Sequence, residues 1–447
     1  MKKILTAMLC FALSMTAKAQ SGTNSPYSQF GLGTLSPQST SFNRGMNGLA
    51  YGFHEHNQIN FQNPASYSAL DSLSFIFDAG LSLQLTNFKE NGHKKNANNG
   101  NIEYINAAFR AFKHVGVSFG LLPYTNVGYD YTSSRNINSI QNPSIKEATY
   151  SNTFTGSGGI RQVYLGLGWE PIKGFAIGAN IAYLWGSLER TVENNYSDSY
   201  IKTLSKIYTY DVKSYKVDFG LQYTQKLSKK NSVTLGLTYS LGHKLNSDAT
   251  CNIISRNTQT AVNDTTSYTI NKALTLPHIF GIGIMWNHND RLKLGIDYQL
   301  QKWADIAMPQ FNVINNKATY ALVKGQLKDM QKITLGGDYC RGERYRGFLS
   351  KLHYRAGISY STPYITVNGQ DGPKELSASM GLGIPIVNNY NYRSMLNIGF
   401  EWVNRNRINL INENKKYFAN VYFSGKMAAM NLKKFINIIY NLTGEAL

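Results

Sequence analysis

Three basic side chains, Lys216, Lys293 and Arg355, lie in stretches where every second residue is apolar, each on the side opposite the apolar ones. A cation so placed could hold the carboxylate of a ligand. Arg355 suits that role best, because a planar guanidinium grips a carboxylate bidentately. Asp78, Asp218, Asp297 and Glu401 share that side of their own stretches, and ion pairs among these groups are the competing use of the same charges. His54-Glu55-His56 would turn two imidazoles to one side of an extended segment, yet no third ligand stands close enough in sequence to complete a metal site. No Ser/His/acid set stands out among the many serines. The glycine pairs Gly158-Gly159 and Gly336-Gly337 fit close strand packing and tight bends, not a phosphate cradle. The chemistry expected is therefore binding: not an enzyme, with no metal and no cofactor.

The elements that carry these residues are strands. In 73–85, Leu73, Phe75, Phe77, Ala79, Leu81, Leu83 and Leu85 alternate with mostly polar residues, which gives one wet and one apolar face. That run exceeds the usual five or six residues of a globular strand and matches the about 9–11 needed to cross a bilayer at a tilt. The pattern recurs, and fourteen strands are predicted: 73–86, 101–112, 115–131, 155–169, 175–190, 210–225, 232–245, 274–287, 292–303, 331–341, 351–361, 374–386, 393–404 and 416–427. The number is even, as single-chain bacterial barrels require, and short turns alternate with long polar loops at 133–154, 191–208, 246–272 and 304–330. A secreted soluble sandwich or propeller would share the alternation but not the strand length or the loop asymmetry. The fold class expected is all-β: a 14-stranded antiparallel transmembrane β-barrel. A hole through so wide a barrel needs filling, and the Gly-, Ser- and Asn-rich residues 20–71 are long enough to form an N-terminal hatch inside the lumen.

The chain starts as an exported one does. Lys2 and Lys3 precede the apolar stretch Ile4–Met15, and Ala17-Lys18-Ala19 offers the small-x-small pattern of a cleavage site. The expected organisation is a signal peptide (1–19), a hatch (20–71), a barrel (72–428) and an amphipathic tail (429–447). No later stretch is apolar for long enough to be a membrane helix. The formal charge of +19 is scattered, without a basic helix or recognition motif. It suits anionic lipid headgroups better than nucleic acid, and no nucleic-acid partner is expected. Only Cys251 and Cys340 remain after cleavage, enough for one disulfide and no framework.

Three stretches carry a family resemblance. "RGMNGLAYG" (44–52) with "NQINFQNPASYSAL" (57–70) resembles the hatch of the FadL family of outer-membrane transporters for long-chain fatty acids and other hydrophobic compounds. "GSGGIRQVYLGLGWEPIKGFAIGANIAYLWGS" is similar to that family's central hairpin. "TLPHIFGIGIMWNHNDRLKLGIDYQLQKWADI" is similar to its Leu-Pro strand and the tryptophan-ended strand after it, through Leu276, Pro277 and Trp303. The resemblance implies fourteen strands and a hatch, in which Asn63, Pro64 and Ala65 would move on ligand binding; a tight turn that packs the plug is the plainer reading of the same residues. It also implies a lateral exit beside a kinked third strand, here Leu121-Leu122-Pro123. Proline cannot donate to a ladder and marks edges or bulges, although it could equally end the strand. Uptake of a lipid-like compound across the outer membrane of a Gram-negative bacterium is the leading expectation. The partners implied are membrane lipids, a hydrophobic small-molecule ligand, the machinery that inserts outer-membrane barrels, and a possible protein partner. The alternative is an accessory barrel of a secretion or surface-assembly apparatus, since some FadL-like barrels serve type IX secretion. A mostly apolar cavity joined to a side gap would favour transport; a sealed lumen under large, ordered loops would favour the partner role.

Overall fold

The computed structural model describes residues 22–428 apart from 73, 91–92, 138–147, 199, 315–316, 343–346, 389–390 and 407–411; the expected signal peptide and the amphipathic tail lie outside the described residues. Strands dominate. In chain order they are β1 (Thr34–Leu35), β2 (Ser74–Glu90), β3 (His93–Phe112), β4 (Val115–Asn126), β5 (Tyr129–Ile137), β6 (Ala148–Ile172), β7 (Phe175–Tyr196) and β8 (Thr203–Lys226). They continue as β9 (Asn231–Ser240), β10 (Ser247–Arg256), β11 (Asn263–Asn271), β12 (Ile279–His288), β13 (Leu292–Gln301), β14 (Met308–Ile314) and β15 (Lys317–Val323). The last are β16 (Met330–Tyr339), β17 (His353–Ser361), β18 (Thr366–Val367), β19 (Gln370–Asp371), β20 (Lys374–Asn388), β21 (Asn391–Asn406) and β22 (Asn412–Ala428).

All pairings are antiparallel. From β2 they run through β3, β4, β6, β7, β8 and β9. They continue through β12, β13, β16, β17, β20, β21 and β22, and β22 pairs with β2 again. Each segment predicted from the alternation overlaps one strand of this succession.

The alternation decides which face is which. Outward-facing Leu81, Leu165, Ile181, Phe219, Ile282, Ile296, Leu335 and Met380 are exposed. The intervening positions bury polar groups: Asp78, Asn106, Ser118, Gln162, Asn180, Gln222, Thr334 and Ser377. This inverts the usual arrangement of a soluble protein. A contiguous apolar band of this extent marks a membrane or partner surface. Aromatic rings stack along its rim: Tyr183 on Trp185 at 6.0 Å, Tyr215 on His243 at 4.2 Å and Tyr239 against Phe280 at 5.2 Å.

Two expectations need correction. The predicted third strand, 115–131, is two strands, β4 and β5. Beside Pro123 the β4–β6 register shifts before Thr125, and the Val127 N–H turns aside to the Gly158 carbonyl at 2.9 Å. Among the described residues the long loops also contain strands. β6, β7 and β8 extend into them, and β10–β11 and β14–β15 form hairpins within them. Their Thr-, Ser- and Asn-rich residues carry few large apolar side chains, so the apolar contrast that reveals a strand is weak. Cys251 and Cys340 are both buried and free, not joined.

Candidate functional site

Residues 22–71 hold little regular structure. Their regular elements are a short 3-10 turn (Pro26–Gln29), the two-residue strand β1, one helical turn (Ser41–Arg44) and a second 3-10 turn (Pro64–Ala69). They are nonetheless among the most buried parts of the chain: Leu32, Met46, Leu49, Ala50, Asn43 and Asn63 have no measurable exposure. What buries them is the polar face of the strands.

Glycines make this contact possible. Gly116, Gly168, Gly178 and Gly220 are cross-strand partners in unbroken succession over four strands. Gly236 faces Gly283, and Gly295, Gly336 and Gly357 form a second row. A Cβ at Gly116 would stand 1.8 Å from the Tyr67 carbonyl oxygen, and one at Gly236 would stand 1.9 Å from the Tyr51 carbonyl oxygen. At Gly178 and Gly357 the obstructing backbone belongs to Pro64 and Met46, both at 2.4 Å. Glycine in a strand interior normally weakens it, and its use where another backbone approaches closely is the recognised exception.

Polar groups of the wall complete the fit. Asp297 accepts hydrogen bonds from the Ala50 and Tyr51 N–H groups at 2.6 and 3.0 Å. Gln222 donates to the carbonyls of Tyr51 and Phe53 at 2.8 and 2.9 Å, and Asn180 donates to that of Phe61 at 2.9 Å. The Asn47 amide donates to the Ser359 and Ser377 hydroxyls at 2.6 and 2.7 Å. Burial pushes the phenols of Tyr51 and Tyr67 above their usual range, so both stay neutral; Tyr67 donates to Asn180 at 3.1 Å and Tyr51 accepts from Gln299 at 2.6 Å. Three apolar clusters lie in and around this segment. One joins Leu32 to Trp303, Leu276, Tyr364 and the loops; another gathers Ile59, Phe61, Tyr67 and Leu70; a third gathers Phe42, Met46, Leu49 and Phe53.

Asn63 caps the second 3-10 turn by accepting from the Ala65 N–H at 3.2 Å, and it donates to the Tyr51 carbonyl at 2.8 Å. Pro64 is the first residue of that turn and Ala65 is fully buried. All three touch glycines of β7 or β8. The three cations do not converge. Lys216 is paired with Asp218, Lys293 with Glu55 at 2.5 Å, and Arg355 with Asp338 at 3.3 Å and the Asn397 amide oxygen at 2.5 Å. Of the His-Glu-His run, His54 bonds Gln222 at 2.7 Å while Glu55 takes Lys293.

The sequence reading passed over Arg44, whose guanidinium is 3% exposed and reaches Glu103 at 3.1 Å and Glu401 at 3.6 Å. It tethers the segment to β3 and β21 from within a stretch that has no periodicity to expose it. Leu276 is buried; Trp303 is fully buried, donates to Gln301 at 2.8 Å and packs on Tyr364 at 4.9 Å.

Leu121 and Pro123 bracket a seam. β3 pairs with β4 only as far as Ile105 with Leu121. Beyond Leu122, β4 takes β1 instead, Leu35 opposite Thr125 and Thr34 opposite Asn126. Gln38 donates to the Pro123 carbonyl at 3.0 Å, and Asn101 of β3 donates to the Gly22 carbonyl at 2.9 Å. The N-terminal segment therefore bridges the two strands where their ladder stops.

Comparison with solved structures finds the same fold in FadL-like channels. The Pseudomonas putida toluene transporter TodX superposes with a TM-score of 0.58 at 14% identity, over 89% of this chain and 100% of that one. The Ralstonia pickettii toluene transporter TbuX gives 0.58 at 15% identity, over 89% and 99%. A Pseudomonas aeruginosa FadL homologue gives 0.58 at 13%, over 88% and 99%. The FadL resemblance thus holds at the level of fold, at low identity. No curated protein matches the chain by sequence. The family model described as BamG matches residues 1–424, nearly the whole sequence, and the chain belongs to the BamG family.

Proposed function

We propose that this chain is an outer-membrane β-barrel of fourteen strands, plugged by its own residues 20–71, that acts as an accessory of the Bam machinery for outer-membrane barrels. In this reading residues 1–19 direct export and are removed after Ala19, and Asn63, Pro64 and Ala65 anchor the plug. The observation that carries it is the occupation of the wall's polar face. Backbone of residues 45–68 presses on glycines of successive strands, and the three candidate cations are engaged by groups of the same chain. A ligand carboxylate would have to break a buried ion pair before it could bind, and breaking such a pair costs several kcal/mol, about 3–5. Loops built as ordered strands and the family name BamG also favour a partner role.

The second reading is uptake of a hydrophobic compound, a long-chain fatty acid or similar molecule, that leaves sideways into the membrane between Leu121-Leu122-Pro123 and β3. It draws on the seam and on structural relatives described as toluene transporters. Gentle extraction from purified outer membranes followed by native mass spectrometry separates the two. The assembly reading expects a persistent protein partner and no stoichiometric lipid. A bound hydrophobic molecule, lost on Arg355→Ala, would overturn it in favour of uptake.

A further inference from the structure

Past the aromatic rim, strands β5, β6, β7, β8, β10 and β11 continue side by side as one projecting sheet. One row across it reads Thr132, Thr153, Glu193, Ser205, Ile254 and Thr265. Along β7 the projection runs from Ser187 to Tyr196, about 30 Å at roughly 3.3 Å per residue. Its two faces differ. One carries Tyr131, Phe154 and Tyr208, which pack on the core beneath the loops. The other presents hydroxyls and amides with Ile207, Ile254 and the carboxylates of Asp130, Glu189, Glu193, Asp211 and Asp248, with Lys213 two residues beyond Asp211. Asp211 and Asp248 are exposed and stand directly opposite each other, a like-charge cross-strand pair that destabilises the sheet.

The sheet ends at β11. It pairs with β10 over nine residues without a register shift, and among the described residues no strand pairs with its other side. Its sequence, Asn263-Asp264-Thr265-Thr266-Ser267-Tyr268-Thr269-Ile270-Asn271, has no lysine, proline or glycine. Every residue except Tyr268 and Ile270 is exposed. Natural edge strands are usually blunted by lysine, proline, a bulge or a covering element, and this one has none of the first three. It is also held firm from below, since Tyr268 packs on Phe311 of the β14–β15 hairpin at 5.7 Å. A threonine-rich edge without lysine, proline or a bulge suits strand addition.

We infer that β11 is a docking edge to which an extended, basic segment of a partner protein adds as the next strand of the projecting sheet. The free main-chain groups of β11 supply the ladder. Lysine or arginine on the outer side of the incoming segment, opposite Asn271, answers the carboxylate of Asp248 across β11. The inference rests on the assembly reading and names the surface that reading needs.

The test uses the full-length protein in its native outer membrane, with benzoylphenylalanine replacing Thr265 or Ser267 on β11, or Thr153 in the sheet interior. Irradiation is expected to give one protein adduct of defined mass from both β11 positions and none from Thr153. The adducted peptide is expected to be an extended segment carrying lysine or arginine. Thr266→Pro and Ser267→Pro then probe the edge itself. One of the two removes an outward N–H and is expected to lower the adduct from Thr265 at least tenfold while leaving heat-modifiable mobility unchanged. No adduct at β11, an equal adduct at Thr153, an adduct only with lipopolysaccharide, or indifference to both prolines would overturn the docking edge. A partner complex that survives extraction without any β11 adduct would sink this inference alone, whereas the absence of any partner complex would sink the assembly reading as well.

Discussion

The carbonyl oxygen of Tyr67 lies 1.8 Å from the point where a Cβ on Gly116 would stand. The N-terminal segment and the strand wall are thus matched backbone to backbone, and the glycines paired across β4, β6, β7 and β8 are the contact surface. Glycine sacrifices strand stability, and here that cost is offset by close approach of the segment.

Gly116→Ala is therefore expected to be poorly tolerated. Overpacking of this kind costs about 1–3 kcal/mol, which urea titration of the refolded barrel in detergent would register as a lower midpoint. Gly100→Ala is the matched control, because its Cβ would make only an ordinary contact, 3.5 Å from Leu83. Equal midpoints for the two variants would refute the fit.

Arg44→Met should be more severe. It strands Glu103 and Glu401 without their buried cation, a loss of about 3–5 kcal/mol. Limited proteolysis is expected to reach residues 22–71 in the variant and not in the wild type, with the strands still protected.

Asn63→Ala removes both the cap on the Pro64–Ala69 turn and the bond to the Tyr51 carbonyl. The expected cost is about 1–3 kcal/mol. Asn63→Asp keeps the cap acceptor but sets a buried carboxylate oxygen against the Tyr51 carbonyl, and should lower the midpoint further than Asn63→Ala in the same urea titration.

The seam offers a direct contrast between the two functional readings. Gly22→Cys with Asn101→Cys, oxidised, would tie the N-terminal segment to β3 where Asn101 already bonds the Gly22 carbonyl. The assembly reading expects normal growth and normal outer-membrane composition in the oxidised cells. Loss of uptake of a hydrophobic compound, restored by reductant, would support passage between β3 and β4.

Much of the wall is legible in the sequence, because one face of each long strand exposes apolar side chains and the other buries polar ones. Leu165 and Gln162 differ in exposure as their parity demands. The projecting parts of β7 and β8 are hidden, since Val192, Leu204 and Ile207 are too sparse among Thr191, Glu193, Ser205 and Lys206 to set a period of two. The inward direction of Lys216, Lys293 and Arg355 follows from parity, but their partners do not. Glu55 comes from a segment without periodicity, and Asn397 lies forty-two residues beyond Arg355. The glycine rows are visible as letters and suggest tight bends; that Gly336 lies under Met46 is set by tertiary packing alone.

The most direct test of the central proposal is to deplete this protein and measure, by quantitative proteomics of purified outer membranes, the abundance of the other β-barrel proteins. The assembly reading expects their levels to fall before growth stops, with uptake of hydrophobic compounds into surviving cells unchanged. Unchanged barrel levels together with lost uptake of a hydrophobic compound would contradict it and leave a channel.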